Sequence, residues 1–317
     1  MLFWIATSLI TGLVSYGVLQ GLRPTPSVAG RRVVIVGASS GIGRSMALEY
    51  ARRGAHLLLC ARRTHELHQV AVACRSVAQR GTVDVVVGDV TDRETQLALR
   101  DKATGLWDGM VDYLVLNAGA ISVLPVVELW DIDVDRATDP QAPPVLVDQA
   151  CADRADRMMR QIMDINLHAP VAVAGLFLPM LARARGSIVV VSSMAALVAA
   201  PTRSLYTASK QAVSGYFNAL RMEIQARLGV AVTIVYPGTV ATDLRQSAVD
   251  GSPDSGAEAA GSQRGKLSPH TCACQAIRAA ALRDRELVTP LPYRISVALY
   301  ALAPLLVEYL AKKKYGL

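Results

Sequence analysis

The sequence predicts an α/β protein: a doubly wound parallel sheet of about seven strands flanked by helices, preceded by an N-terminal transmembrane helix. Three observations predict the sheet. Short β-branched runs alternate with helical stretches at βα spacing. A glycine cluster separates the first such run from the first helix. Residues suited to ligand chemistry follow the ends of several strands, the edge at which open parallel sheets hold their ligands.

The chain has 317 residues, long enough to bury a sizeable core. Apolar residues make up 52% and charged residues 19%, a composition rich for a soluble enzyme and suggestive of membrane contact. The net charge of +7 is spread along the chain without an aromatic-interleaved basic patch, which argues against nucleic acid. Cys60, Cys74, Cys151, Cys272 and Cys274 are odd in number and lack a paired metal spacing. Reduced thiols are expected, and no metal.

Residues 1–22 carry no charged side chain and would make a helix of about 33 Å, enough to cross a bilayer. A cleaved signal peptide is the alternative, with Ser27-Val28-Ala29 as its small-residue site. The missing basic start and the long apolar run favour a retained anchor. Arg23, Arg31 and Arg32 follow it, which places the remainder on the cytosolic side. Residues 23–30, with Pro24 and Pro26, read as a stiff linker.

Val33–Val36 reads as a buried strand and Arg44–Arg53 as a helix. Between them lies Gly37-Ala38-Ser39-Ser40-Gly41-Ile42-Gly43. A glycine turn there leaves backbone N–H groups free at a helix N-terminus, where a pyrophosphate binds well. The second strand, His56–Cys60, ends in Ala61-Arg62-Arg63. A carboxylate at this point would read a ribose 2′-hydroxyl, whereas arginine accommodates a 2′-phosphate, so NADP(H) is preferred to NAD(H). Arg44 adds positive charge nearby. A helix over Thr64–Gln79 leads to a strand at Val83–Val87, then Gly88-Asp89-Val90. Asp89 is placed to bond an adenine or to cap the helix starting near Thr91; both readings stand. The fourth strand, Tyr113–Leu116, runs into Asn117-Ala118-Gly119.

The acidic, proline-containing stretch Glu128–Asp153 reads as a surface excursion. Arg154–Leu167 reads as a helix containing Asn166, either a satisfied core amide or the holder of a water that relays protons to Lys210. The fifth strand, Gly186–Val191, runs into Ser192-Ser193. The next helix reaches about Leu228 and carries Tyr206 and Lys210 at i and i+4, on one face and about 5–6 Å apart at Cβ. An ammonium so close is expected to lower a phenol pKa that starts near ~10 and to give an acid/base working near neutrality. Ser193 is placed to polarise the same substrate oxygen. A sixth strand, Ala231–Tyr236, ends in Pro237-Gly238-Thr239, which with Thr242 should meet a nicotinamide. Residues 243–268 read as a mobile loop beside the substrate site. Pro269–Arg283 reads as a helix and Glu286–Thr289 as the last strand. Residues 293–317 are apolar, then basic. They suit a helix lying on a membrane surface, or equally a core-packed or dimer-forming helix.

From about Arg31 to Pro292 the chain resembles the classical short-chain dehydrogenase/reductases. The resemblance rests on Gly37-Ala38-Ser39-Ser40-Gly41-Ile42-Gly43, Asp89-Val90, Asn117-Ala118-Gly119, Asn166, Ser193, Tyr206-x-x-x-Lys210 and Pro237-Gly238. It implies a Rossmann-type domain over 31–292 and a catalytic tetrad of Asn166, Ser193, Tyr206 and Lys210. In it Tyr206 is the proton donor or base, Ser193 holds the substrate oxygen, Lys210 lowers the tyrosine pKa and bonds the nicotinamide ribose, and Asn166 anchors a relay water. Val36 and Leu116 depart from the family's usual threonine and asparagine without touching the tetrad. The anchor, the Ala-Arg-Arg and the Lys-ended tail resemble a membrane-bound branch. That branch includes 11-beta-hydroxysteroid dehydrogenases, dehydrogenase/reductase member 7 proteins and 3-ketodihydrosphingosine reductase. The resemblance implies an NADP(H)-dependent oxidoreductase of the endoplasmic reticulum or another endomembrane, acting on a steroid, retinoid or keto-lipid. A 3-ketosphinganine-type lipid reductase is one rival. A cofactor-binding, membrane-tethered interaction protein without turnover is the other.

Overall fold

The computed structural model describes residues 23–250 and 266–315. The expected anchor at 1–22 and residues 251–265 of the Gly/Ser-rich loop lie outside the described residues. Seven strands form one parallel sheet: β1 (Arg32–Val36), β2 (His56–Ala61), β3 (Val83–Val87), β4 (Tyr113–Leu116), β5 (Ser187–Val191), β6 (Ala231–Pro237) and β7 (Glu286–Thr289). Their order is β3-β2-β1-β4-β5-β6-β7. The chain therefore reverses direction across the sheet between β1 and β4, where the two half-sheets leave a crevice at their C-terminal edge.

The strands are short apolar runs because both faces are covered. In β1, Val34 and Val36 enter a cluster with Leu114, Phe177, Ile188 and Phe217. Val33 and Ile35 enter the opposite cluster with Met46, Tyr50, Leu57 and Ile277. Each fully buried aliphatic side chain contributes about 1.5–3 kcal/mol, and a one-residue slip would exchange the two sets, so the register is firmly held. The first face is covered by α3 (Arg93–Trp107), α7 (Ala169–Ala184) and α8 (Ser204–Leu228), and the second by α1 (Gly41–Arg52), α2 (Thr64–Val77) and α9 (Pro269–Ala281).

The acidic excursion holds two short helices, α4 (Val126–Leu129) and α5 (Val134–Thr138), and then α6 (Gln149–Met163). A π turn at Asp164–His168 joins α6 to α7. By length and composition Gln149–Ala184 is apolar enough to span a membrane. Its apolar part is α7, whose Val173, Ala174, Phe177 and Leu181 sit in the core of the sheet. The C-terminal tail folds as α10 (Leu291–Leu302) and α11 (Pro304–Tyr315), broken at Ala303 before Pro304. Cys60, Cys74, Cys151 and Cys272 are buried and all five thiols are free.

At the opposite edge of the sheet, Asp112 fastens the strand starts. It accepts the Arg32 backbone N–H at 2.9 Å and Arg32 Nε at 2.6 Å, and Arg31 Nη1 at 3.0 Å. Fixing the far end in this way leaves the C-terminal edge free for loops that carry chemistry.

Candidate active site

After β1 the chain turns at Gly37 with φ of +83°. A Cβ there would lie 2.5 Å from the Ala118 backbone nitrogen, so only glycine lets the turns after β1 and β4 touch. Asn117 Nδ2 donates to the Gly37 carbonyl at 2.8 Å and ties the two turns together. Ser40 precedes α1 in extended conformation without a side-chain capping bond. The first N–H groups of α1 are thereby left for an anion.

The two arginines after β2 have different partners. Arg62 Nη1 donates to Asp89 Oδ2 at 3.2 Å. Arg63 Nη2 reaches across the glycine turn to Ser39 Oγ at 3.0 Å and Ser40 Oγ at 2.7 Å. Asp89 does not cap α3, which begins at Arg93 after Asp92; its Oδ1 instead closes the preceding turn, accepting from Thr91 N at 2.9 Å and Thr91 Oγ1 at 2.8 Å. Burial pushes the Asp89 carboxyl up, but the Thr91 bonds and Arg62 outweigh it and hold the group below the usual carboxylate range.

Asn166 lies in the π turn and is 1% exposed. Its amide is engaged by protein throughout. Oδ1 accepts from Ala120 N, and Nδ2 donates to Ala120 O and to Ser209 Oγ, each at 2.9 Å. The side chain thus pins the segment after β4 to α8. A Cβ on Gly119 would lie 3.0 Å from Asn166 Oδ1 and 3.3 Å from Lys210 Nζ, so these groups converge on one glycine.

Tyr206 and Lys210 share a face of α8, with Lys210 Nζ 5.9 Å from the Tyr206 ring centroid. The net lowering of the phenol pKa expected beside Lys210 is not found. Burial raises the Tyr206 pKa above its ordinary value, and the opposing pulls of the Ser193 hydroxyl and the Arg203 charge do not overcome it. Lys210 is itself buried, donates Nζ to the Val191 carbonyl at 3.2 Å, and is pushed down by desolvation to about 8. Ser193 begins a 3-10 turn, its Oγ accepting from Ala195 N at 3.2 Å.

One cavity of about 1140 Å³ runs along this edge. It is lined by Gly37, Ser39, Ser40, Gly41, Ile42, Arg62, Arg63, Asp89, Val90, Asn117, Ala118, Gly119, Ser193, Tyr206, Lys210, Pro237, Gly238, Thr239 and Thr242. Gly43 and Asn166 are not in its lining; Gly43 packs against the Gly37 carbonyl, leaving no room for a Cβ. Ala120 and Ile121 after β4, and Asp243, Leu244, Arg245 and Ser247 of the loop expected beside the substrate site, also line the cavity. Those regions do meet, through a bridge between Ile121 and Ala248 and a bond from Val123 N to Asp250 Oδ2 at 2.7 Å. A further wall comes from the tail, with Tyr293, Ser296 and Leu299 on α10 and Val307, Leu310 and Tyr315 on α11. Tyr293 packs over the turn after β6, where a Cβ on Gly238 would fall 2.4 Å from its ring. The spacing of 293, 296 and 299 marks one helix face in the sequence, but spacing alone does not say what that face covers.

A family model described as short chain dehydrogenase matches residues 31–252. An 11-beta-hydroxysteroid dehydrogenase A of Sesamum indicum is 38% identical over 230 residues, which is 72% of this chain and 58% of that protein. A protein of the same name from Arachis hypogaea is 34% identical over 299 residues, 91% of this chain and 76% of that protein. Dehydrogenase/reductase SDR family member 7B of Xenopus laevis is 31% identical over 297 residues, 92% of this chain and 84% of that protein. Among solved structures, a short chain dehydrogenase/reductase from Burkholderia phymatum in complex with NAD shares the fold with a TM-score of 0.71 at 21% identity, covering 89% of this chain and 96% of that one. A short-chain type dehydrogenase/reductase from Mycobacterium marinum does so with a TM-score of 0.65 at 24% identity, covering 84% and 96%.

Proposed function

Because the chain belongs to the short-chain dehydrogenase family, we propose that it is an NADP(H)-dependent oxidoreductase interconverting a carbonyl and an alcohol on a lipophilic substrate. The observation that carries this reading is the convergence of Ser193, Tyr206 and Lys210 on the cavity that also receives the glycine turn. The residues present fit a dinucleotide. The turn at Gly37 and the uncapped start of α1 suit a pyrophosphate, and Arg63 with Ser39 and Ser40 forms a cationic, hydroxyl-lined cradle suited to a 2′-phosphate. Arg62, already paired with Asp89, is the lesser contributor. Pro237, Gly238, Thr239 and Thr242 line the same cavity as Ser193, Tyr206 and Lys210, which supports their contact with a nicotinamide. When bound, the cofactor supplies or accepts the hydride.

The protein's own part is proton transfer and alignment. Burial keeps the Tyr206 hydroxyl protonated at neutral pH, which suits donation of its proton to a carbonyl oxygen. Ser193, beside Tyr206 in the cavity lining, donates to the same oxygen and fixes its position. The Lys210 ammonium stabilises the tyrosinate that forms. Asn166 holds the segment bearing Gly119 against Lys210 through the Ala120 backbone.

The hydroxysteroid dehydrogenase and SDR member 7B relatives support a lipophilic substrate. The apolar segment 1–22 and the exposed Leu305 and Tyr309 of α11 support attachment to an endomembrane. NADPH oxidation is to be followed with a panel of ketosteroids, retinal and long-chain keto lipids. Tyr206→Phe should lower turnover by about 10²–10⁴-fold while NADPH still binds. Unchanged turnover in that variant would sink the mechanism. A wild-type protein that binds NADPH but turns over nothing would favour the interaction-protein reading.

A further inference from the structure

Arg203 stands one turn before Tyr206, its carbonyl accepting the Thr207 N–H at 2.8 Å as α8 begins. It lines the substrate side of the cavity alongside Ala199, Ala200 and Leu310. Its guanidinium carbon lies 5.1 Å from the centroid of the Tyr315 ring. A ring engages the flat face of a guanidinium and leaves the N–H groups, which lie in its plane, for acceptors. Arg203 Nε is buried and has no hydrogen-bond partner among the described residues. The rest of the guanidinium likewise has no hydrogen-bond or ion-pair partner among the described residues, so a cation stands in the cavity wall without an acceptor of its own and is open to one brought by a ligand.

We propose that Arg203 is a specificity residue that receives an anionic group of the substrate, a carboxylate or phosphate monoester. This rests on the oxidoreductase reading and narrows its substrate class. Arg203 immediately precedes α8, three residues before Tyr206, so the anion stands a few bonds from the carbon that reacts there. The apolar remainder lies along the wall formed by Leu299, Val307 and Leu310. The substrate is then an acidic amphiphile and not a neutral, fully apolar ketone.

The test compares 4-oxododecanoate with its methyl ester as substrates of the full chain with NADPH. The acid should have the higher kcat/KM by about tenfold or more. In Arg203→Met that preference should fall to near unity, through KM and not kcat, and Arg203→Lys should recover part of it. Equal use of acid and ester by the wild type, or a preference that survives in Arg203→Met, overturns the proposal. So does a variant that moves only the pH profile, because Arg203 would then merely tune Tyr206. Calorimetric binding of dodecanoate and methyl dodecanoate to the NADPH complex separates the two readings. Acid preference lost in Arg203→Met, with no ketone turned over, keeps the anion site and sinks the oxidoreductase. Ketone turnover without acid preference does the reverse.

Discussion

Lys210 shows how burial and charge compete at a single residue. Its folded-state pKa of about 8 lies below the ordinary lysine value of 10.5. Between those values the unfolded chain binds more protons than the native one, so stability rises with pH across that window. Below it the full cost of the buried ammonium is present. That cost is on the order of 3 kcal/mol, of which about 1 kcal/mol is offset by the bond to Val191 O. Lys210→Met is therefore expected to be more stable than wild type by about 1–2 kcal/mol at pH 7 and to lose that advantage near pH 10, read from urea midpoints at the two values. The arginine pair gives a second prediction. Arg63→Ala should weaken NADPH binding by about tenfold with little effect on NADH, whereas Arg62→Ala should do less, because Asp89 already holds Arg62. The motif spacing put both arginines and the Tyr206–Lys210 pair in the sequence in plain view. Which arginine crosses to the glycine turn, and the sign of the Tyr206 shift, depend on burial and on partners distant in the chain.

The strands are held from the edge that carries no chemistry. Asp112 closes β1 against β4 through both Arg31 and Arg32. Burial raises its carboxyl pKa, but the Arg32 and Arg31 bonds more than compensate and hold it below the usual range. A depressed carboxyl contributes stability above its unfolded value near ~3.9 and loses it as pH falls through the folded value. Asp112→Asn should cost about 1–3 kcal/mol at pH 7, and its deficit should shrink on acidification, measured as denaturant midpoints from pH 7 downward. All seven strands were legible because each is a compact apolar run with helical spacing between. The π turn was not, because a helix and a one-residue bulge within it share the same apolar pattern. Nor was the fate of the tail. Its apolar faces suit a membrane, a core or a cavity equally, and only the fold determines that Tyr293 and Leu310 face the site.

At the scale of the molecule, the cavity draws its lining from both halves of the chain. The glycine turn, the arginines and Asn117 come from its first half, and the catalytic helix and the tail from its second. The two sets are also held with unequal strength. The strands and their facing helices supply nearly all of the two large buried clusters, whereas α10 buries no residue and α11 shows only Val307 as buried. A segment that lines the cavity while burying so little has a small free energy of local opening, well below that of the whole domain. Its backbone amides should exchange with deuterium from 291 to 315 far sooner than those of β1, β4 and β5, and a ligand filling the cavity should slow them selectively. Exchange there as slow as in the central strands would refute this. The wall that shapes the substrate is then also the part that parts most readily from the rest, and admission to Tyr206 becomes a matter of how often the last two helices loosen.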